Sequence, residues 1–174
     1  MPGSGAEAHE FVQVRQGAHA LGRGPDDVVG AILGSCVAAC IWDPLAHVGG
    51  MNHILLPGRT VSGYVFDGHG ACSMERLINA LLKEGASRGR LRAKVFGGAT
   101  MVPGLGDIGA RNAAFLEAYL RREGIPCDGG SLGGNRARMV RFWPYTGRAR
   151  QRLVDRVGEV VAPPKPPGNG VELF

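Results

Sequence analysis

Two apolar runs arranged about one turn constrain this chain more than any other feature. Residues 37–42 (VAACIW) and 48–56 (VGGMNHILL) flank Asp43-Pro44-Leu45-Ala46-His47, and Pro57-Gly58 closes the second run. Proline fixes φ and has no N–H to donate to a ladder, so Asp43-Pro44 ends the first run. Short apolar runs bounded by such residues read as strands that pair across the turn. If 37–42 pairs with 48–56, residues whose numbers sum to about 89 or 90 face each other, and Cys36 lies opposite residues 53 to 54. The turn alone therefore brings His53 beside Cys36.

The remaining segments extend the pattern. Residues 10–14, 28–32, 91–96, 125–127, 137–143 and 149–154 read as strands, separated by clusters such as GRGPDD at 22–27. Residues 59–70 read as a loop. A helix is expected over 73–86, with Met74, Leu77, Ile78, Leu81 and Leu82 on one face, Ser73 as its cap and Gly85 near its end. A second is expected over 108–123, with Ile108, Asn112, Phe115, Leu116, Tyr119 and Leu120 on one face and Gly124 as its stop. Strands outnumber helices, and helices do not separate every strand pair. The expected fold is therefore α+β, with packed, mainly antiparallel or mixed β-sheets and flanking helices. A chain of 174 residues suits one domain, expected over residues 10–158, between a disordered start at 1–9 and an extended Pro/Gly-rich tail at 159–174.

Composition narrows the function classes. No apolar stretch approaches the ~18 residues of a membrane span, and the start MPGSGAEAHE has no basic and apolar leader, so a cytoplasmic protein without membrane insertion is expected. Its four cysteines are then reduced thiols. None forms a CxxC pair and no histidines cluster beside them, so no metal site is expected. The glycine pairs lack the lysine of a phosphate loop, which argues against a nucleotide cofactor. The net charge of +5 suits an acidic partner. No run of basic residues or basic-aromatic stripe stands out, so nucleic acid is not the expected one. A monomer is expected.

Leu33-Gly34-Ser35 can form a tight bend that leaves backbone N–H groups free near Cys36. Such groups at Gly34 and Ser35 lower a thiol pKa and hold an oxyanion. The alternative is a cysteine that only packs, which composition alone favours. His53 has the same two readings, a core histidine bonded to a carbonyl or a base for Cys36. Cys40 points to the same strand face as Cys36 and reads as packing, while His47 and His69 read as solvated. Asn112, on an apolar helix face, needs internal hydrogen bonds; it can buttress a site or fix a loop, and reads as the second.

The stretches LGSCVAACIWDP, GGMNHILLP, MERLINALLKEGA, AKVFGGATM, IGARN and GGNRARMVRFWPYTG, in this order, resemble the CheD family of chemoreceptor glutamine deamidases. The resemblance spans roughly residues 10 to 155. It implies a cysteine-hydrolase fold related to deamidase toxins, with Cys36 as nucleophile and His53 as general base and no cofactor. It implies the cytoplasmic helices of chemoreceptors as substrate, and a CheC-like phosphatase as a further partner. Relatives often carry a threonine a few residues before the cysteine, which orients the histidine. Here VVGAILGSC has Gly30 and Ala31 at those positions, leaving a backbone carbonyl or a water for that task. The rival reading is a docking or regulatory protein that binds receptors or the phosphatase without efficient turnover.

Overall fold

The run VAACIW becomes the centre of the molecule. The computed structural model describes residues 11–57, 68–104, 107–155 and 171–174. In chain order its elements are β1 (Phe11–Gln13), β2 (His19–Gly22), β3 (Val28–Leu33), β4 (Val37–Asp43), β5 (Val48–Asn52), α1 (Gly68–Lys83), β6 (Arg92–Gly97), α2 (Ile108–Arg122), β7 (Cys127–Leu132), β8 (Ala137–Trp143), β9 (Arg148–Val154) and β10 (Val171–Leu173). The strands form two five-stranded sheets, a central one in the order β2-β5-β4-β6-β7 and an outer one in the order β1-β3-β8-β9-β10. Both are mixed: β1–β3 and β6–β7 are parallel, and the other pairs are antiparallel. The fold is α+β, as expected.

Three layers follow from two apolar clusters. Ala38, Cys40, Trp42, Met51 and Phe96 of the central sheet pack against Val29, Ala31, Leu33, Val140 and Phe142 of the outer sheet. On the opposite face of the central sheet, Val37, Ala39 and Ile41 meet Met74, Leu77, Ile78 and Leu81 of α1 and Leu116 and Leu120 of α2. β4 is thus covered on both faces, and all seven of its residues are buried. This is why its sequence is a continuous apolar run and does not alternate. The α1 stripe recurs every three or four residues. Its four large buried side chains contribute roughly 1.5–3 kcal/mol each from burial, before the entropy of ordering them.

The hairpin register differs from the expected one. Asp43 pairs with Val48, Trp42 with Gly49 and Cys40 with Met51, so facing residues sum to 91, not 89 or 90. The cause is the Asp43 carboxylate. Its Oδ1 accepts the N–H groups of Leu45 and Ala46, which keeps Asp43 in the strand and reduces the loop to residues 44–47. His47 closes that loop in a left-handed conformation at φ 53°.

Other boundaries also moved. α1 begins at Gly68, so Ser73 lies inside the helix and does not cap it, and His69 stands in its first turn and not in a loop. The rest of the segment read as a loop before α1, together with residue 10, lies outside the described residues. Strand β7 extends through Gly129-Gly130 to Leu132, well past the expected 125–127. β2 and β10 were not expected as strands. β10 pairs with β9, and Phe174 and Ala149 exchange backbone hydrogen bonds beyond it.

Candidate active site

Cys36 follows a bend between β3 and β4 that the end of β6 and α2 hold. Its carbonyl accepts the N–H of Gly98 at 2.8 Å, and the Gly34 carbonyl accepts that of Ala99 at 2.9 Å. Asn112 of α2 donates from Nδ2 to the Ser35 carbonyl at 2.8 Å. Gly97 has φ 108°, and a β-carbon there would overlap the Cys36 carbonyl oxygen. Only glycine suits that combination of angle and closeness. Among the described residues no carbonyl accepts the N–H of Ser35.

His53 continues β5 beyond its ladder. Asn52 Oδ1 takes the N–H of Ala39 at 2.9 Å, which interrupts the ordinary pairing. Pairing resumes where Val37 and Ile54 exchange two backbone bonds of 2.9 and 2.7 Å. The register bears directly on the cysteine and the histidine. With a sum of 90 they would fall on opposite faces of the sheet, because side chains alternate. With a sum of 91 they share a face as diagonal neighbours, with Cys36 two positions from the residue opposite His53. Such neighbours lie roughly 7–8 Å apart at Cα, within reach of a long side chain. Both project toward the outer sheet: Cys36 packs on the inter-sheet cluster, and His53 meets Val14 of the same cluster.

The ring of His53 is fixed by the segment after β1. Its Nδ1 lies 3.0 Å from the Val14 carbonyl. A carbonyl only accepts, so Nδ1 carries the proton and Nε2 is left as an acceptor. Backbone bonds tie the same segment to His53, from Gly17 N–H to the His53 carbonyl at 2.8 Å and from His53 N–H to the Ala18 carbonyl at 3.2 Å. At Gly30 no side chain fits, because a β-carbon would meet the Val140 carbonyl at 2.5 Å and the Phe11 ring at 2.8 Å. Ala31 is buried between the sheets. The carbonyl of Val14 thus holds the ring in a chain with no hydroxyl at these two positions.

Sulfur and imidazole are not hydrogen-bonded to each other in this structure. The thiol instead donates to Gln16 Oε1 over a long 3.9 Å contact. Gln16 and His53 both line a cleft of about 200 Å³ together with His69, Cys72, Ser73 and Arg76, which recur on one side of α1. Burial pushes the Cys36 thiol up, partly offset by its own backbone N–H, and burial pushes His53 down, partly offset by Val14. The resting pair is thus a neutral thiol and a neutral imidazole. Asn112 links the two halves, since its Oδ1 also accepts the N–H of Leu56, three residues after His53, at 3.1 Å. It does more than anchor one loop.

Cys40 is buried and its thiol is pushed up by burial, so it packs as expected. His47 stacks on Tyr145 at 4.3 Å in the β4–β5 turn, at the other end of the strands from Cys36. Gly130 approaches β6 at Val95, not the site. Val14, Gln16 and the α1 side of the cleft carry no sequence signal of their own, apart from the turn glycine Gly17.

A cysteine and a histidine thus share one sheet face behind an LGSC bend, and the comparisons with known proteins bear on the family. Residues 65–153 match the family model described as "CheD chemotactic sensory transduction". The chain belongs to the CheD family. Among its relatives, the "Probable chemoreceptor glutamine deamidase CheD" of Acidiphilium cryptum is 49% identical over 94% of this chain and 93% of its own length. The protein of the same description from Caulobacter vibrioides is 53% identical over 90% and 86%. That from Cereibacter sphaeroides is 54% identical over 83% and 72%. Among solved structures, a Neisseria meningitidis protein of the DUF152 family is similar at a TM-score of 0.48, over 71% of this chain and 64% of that one, with 10% identity. Among the described residues of this CheD-family chain, no helix is long and apolar enough to cross a membrane, and no three metal-ligating side chains cluster.

Proposed function

We propose that this chain is a chemoreceptor glutamine deamidase in which Cys36 is the nucleophile and His53 the general base. The observation that carries this reading is the fixed His53 ring. Its Nδ1 is tied to the Val14 carbonyl, and it stands on the same sheet face as Cys36 beside an open cleft.

Substrate binding displaces Gln16 from the thiol, and a glutamine carboxamide takes its place. His53 Nε2 removes the thiol proton as sulfur attacks the side-chain carbonyl carbon, and the resulting oxyanion is held by N–H groups of the Gly34–Cys36 bend. The tetrahedral adduct collapses as the imidazolium returns its proton to the departing nitrogen. Ammonia leaves and a thioester remains on Cys36. His53 then takes a proton from water, which attacks the thioester. The products are a glutamate side chain and the restored thiol. Each turnover adds one negative charge to a receptor helix and shifts its conformational balance electrostatically. The receptor's cytoplasmic helices are the substrate, and the reaction requires no cofactor.

The decisive experiment measures ammonia release from a purified receptor cytoplasmic domain. The intact protein is expected to release ammonia, and the Cys36→Ala and His53→Ala variants are expected to lose nearly all of it. A rate for the intact protein no higher than that of Cys36→Ala would sink the enzyme reading. Retained receptor binding in that case would favour a docking protein.

A further inference from the structure

The solvent face of the outer sheet carries an arrangement that folding alone does not favour. β8 and β9 pair so that Arg141 faces Arg150, Trp143 faces Arg148 and Met139 faces Arg152. The alternate residues Val140, Phe142, Ala149 and Gln151 are buried, so the arginines point outward. Like charges directly opposite each other in a sheet cost stability. None of Arg141, Arg148, Arg150 and Arg152 has a carboxylate partner among the described residues, whereas Arg23, Arg88, Arg90, Arg92, Arg122 and Arg136 each have one. Aromatic rings set the arginine positions. Arg148 and Arg150 lie 4.3 and 5.7 Å from the Trp143 centroid, and Arg141 lies 5.4 Å from that of Phe11. The result is a pre-arranged positive strip beside an exposed Phe11.

We propose that this strip is an exosite for the acidic face of the helical receptor substrate. The inference rests on the deamidase reading. A cleft of about 200 Å³ accepts a side chain, but a protein substrate is held through roughly 800 Å² per partner, so most of the contact must lie elsewhere. The strip is continuous with the site, because β1 presents Phe11 and the same segment runs on to Val14 and Gln16. Its spacing fits a helix. Alternate residues of β9 advance about 6.8 Å, close to the ~6 Å between residues four apart on a helix. A helix with carboxylates at that interval matches Arg148, Arg150 and Arg152 in turn, and guanidinium groups pair with carboxylates in bidentate fashion.

The test compares wild type with an Arg141→Glu/Arg150→Glu double variant and with Arg150→Gln. For the double variant, the half-saturating concentration of receptor cytoplasmic domain is expected to rise about tenfold. Its kcat should be unchanged, the salt dependence seen in wild type should flatten, and turnover of a short glutamine peptide should stay the same. Arg150→Gln relieves the like-charge pair, so its thermal midpoint should hold or rise while receptor affinity falls. This combination is not what a structural role would give. An unchanged half-saturating concentration in the charge-reversed protein overturns the proposal. So does receptor affinity that is untouched while the variants lose binding to single-stranded RNA or phosphatidylserine vesicles. If wild type releases no ammonia, the deamidase reading fails by itself. The exosite is then read by fluorescence anisotropy of labelled receptor domain against Cys36→Ala protein, where weaker binding on charge reversal supports it and equal binding overturns it.

Discussion

Replacing Asn112 by alanine removes a side chain that links both halves of the site. Asn112 is almost fully buried on α2, donates to the Ser35 carbonyl and accepts from the Leu56 N–H. Each bond has a net value of about 1 kcal/mol, and a buried group left without its partner costs about 1–3 kcal/mol. Losing both bonds, with water recovering part of the loss, gives an expected destabilisation of ~2–4 kcal/mol. That is survivable against a typical domain stability of about 5–15 kcal/mol. It should appear as a lower urea midpoint with unchanged far-UV circular dichroism. The catalytic effect should be larger than the stability loss explains. Ser35 precedes Cys36 and Leu56 follows His53, so freeing both lets the two side chains drift apart, and in the proposed mechanism small misplacements of reacting groups cost up to about 10²-fold in rate. The expected outcome is a kcat lowered roughly 10- to 100-fold in the ammonia assay, with KM little changed. Leu120→Ala supplies the control. Leu120 is buried on the same helix and makes neither of those hydrogen bonds, and its truncation costs a similar ~2–5 kcal/mol. If the control loses as much kcat as Asn112→Ala, or if Asn112→Ala keeps both its urea midpoint and its kcat, the positioning role is refuted.

Gly97→Ala forces a β-carbon against the Cys36 carbonyl in a left-handed conformation, and is expected to cost ~2–4 kcal/mol in urea melts and to abolish most turnover. Arg90→Ala leaves the fully buried Asp43 with only its backbone N–H donors from Leu45, Ala46 and Ser87, for an expected loss of about 1–3 kcal/mol by thermal melting. Burial opposes ionisation of Asp43, but Arg90 and those N–H groups outweigh it and hold the carboxyl well below the usual range. Stability from this group is therefore present above its unfolded pKa of about 3.8 and fades as pH falls below it. Burial depresses His53 below its ordinary 6.5, so the acid limb of kcat/KM is expected below pH 6.5. The unfolded chain binds that proton first, so stability declines as pH falls from about 6.5 toward the folded value, and His53→Gln should remove this component of an acid titration followed by fluorescence. Gln16→Ala removes the thiol's hydrogen-bond acceptor, and its Cys36 should be alkylated by iodoacetamide about two- to fivefold faster than in wild type; an equal rate would show that the Gln16 contact does not guard the sulfur.

The sequence by itself determined the elements whose signals are local. Apolar runs between turn residues mark β3, β4, β5, β6, β8 and β9, and three- and four-residue spacing marks α1 and α2, because backbone geometry sets those periods whatever the element packs against. Cys36 and His53 were legible for a related reason: one short turn joins their strands, so their nearness is itself almost local. Strand β7 was not legible beyond its start, since Gly129 and Gly130 carry no β preference and Gly130 is held, past a register shift, by pairing with Val95 of β6. Only the tertiary structure decided the register and the support of the His53 ring. A carboxylate at Asp43 keeps one more residue in β4, and the resulting sum of 91 makes the cysteine and the histidine diagonal neighbours on one face, where 89 would set them directly opposite and 90 on opposite faces. The ring of His53 is then set by a backbone carbonyl at Val14, 39 residues away in sequence. Every residue has a carbonyl, so no residue type at position 14 could announce that role. Which carbonyl meets the ring depends on how the segment between the two sheets folds over β5.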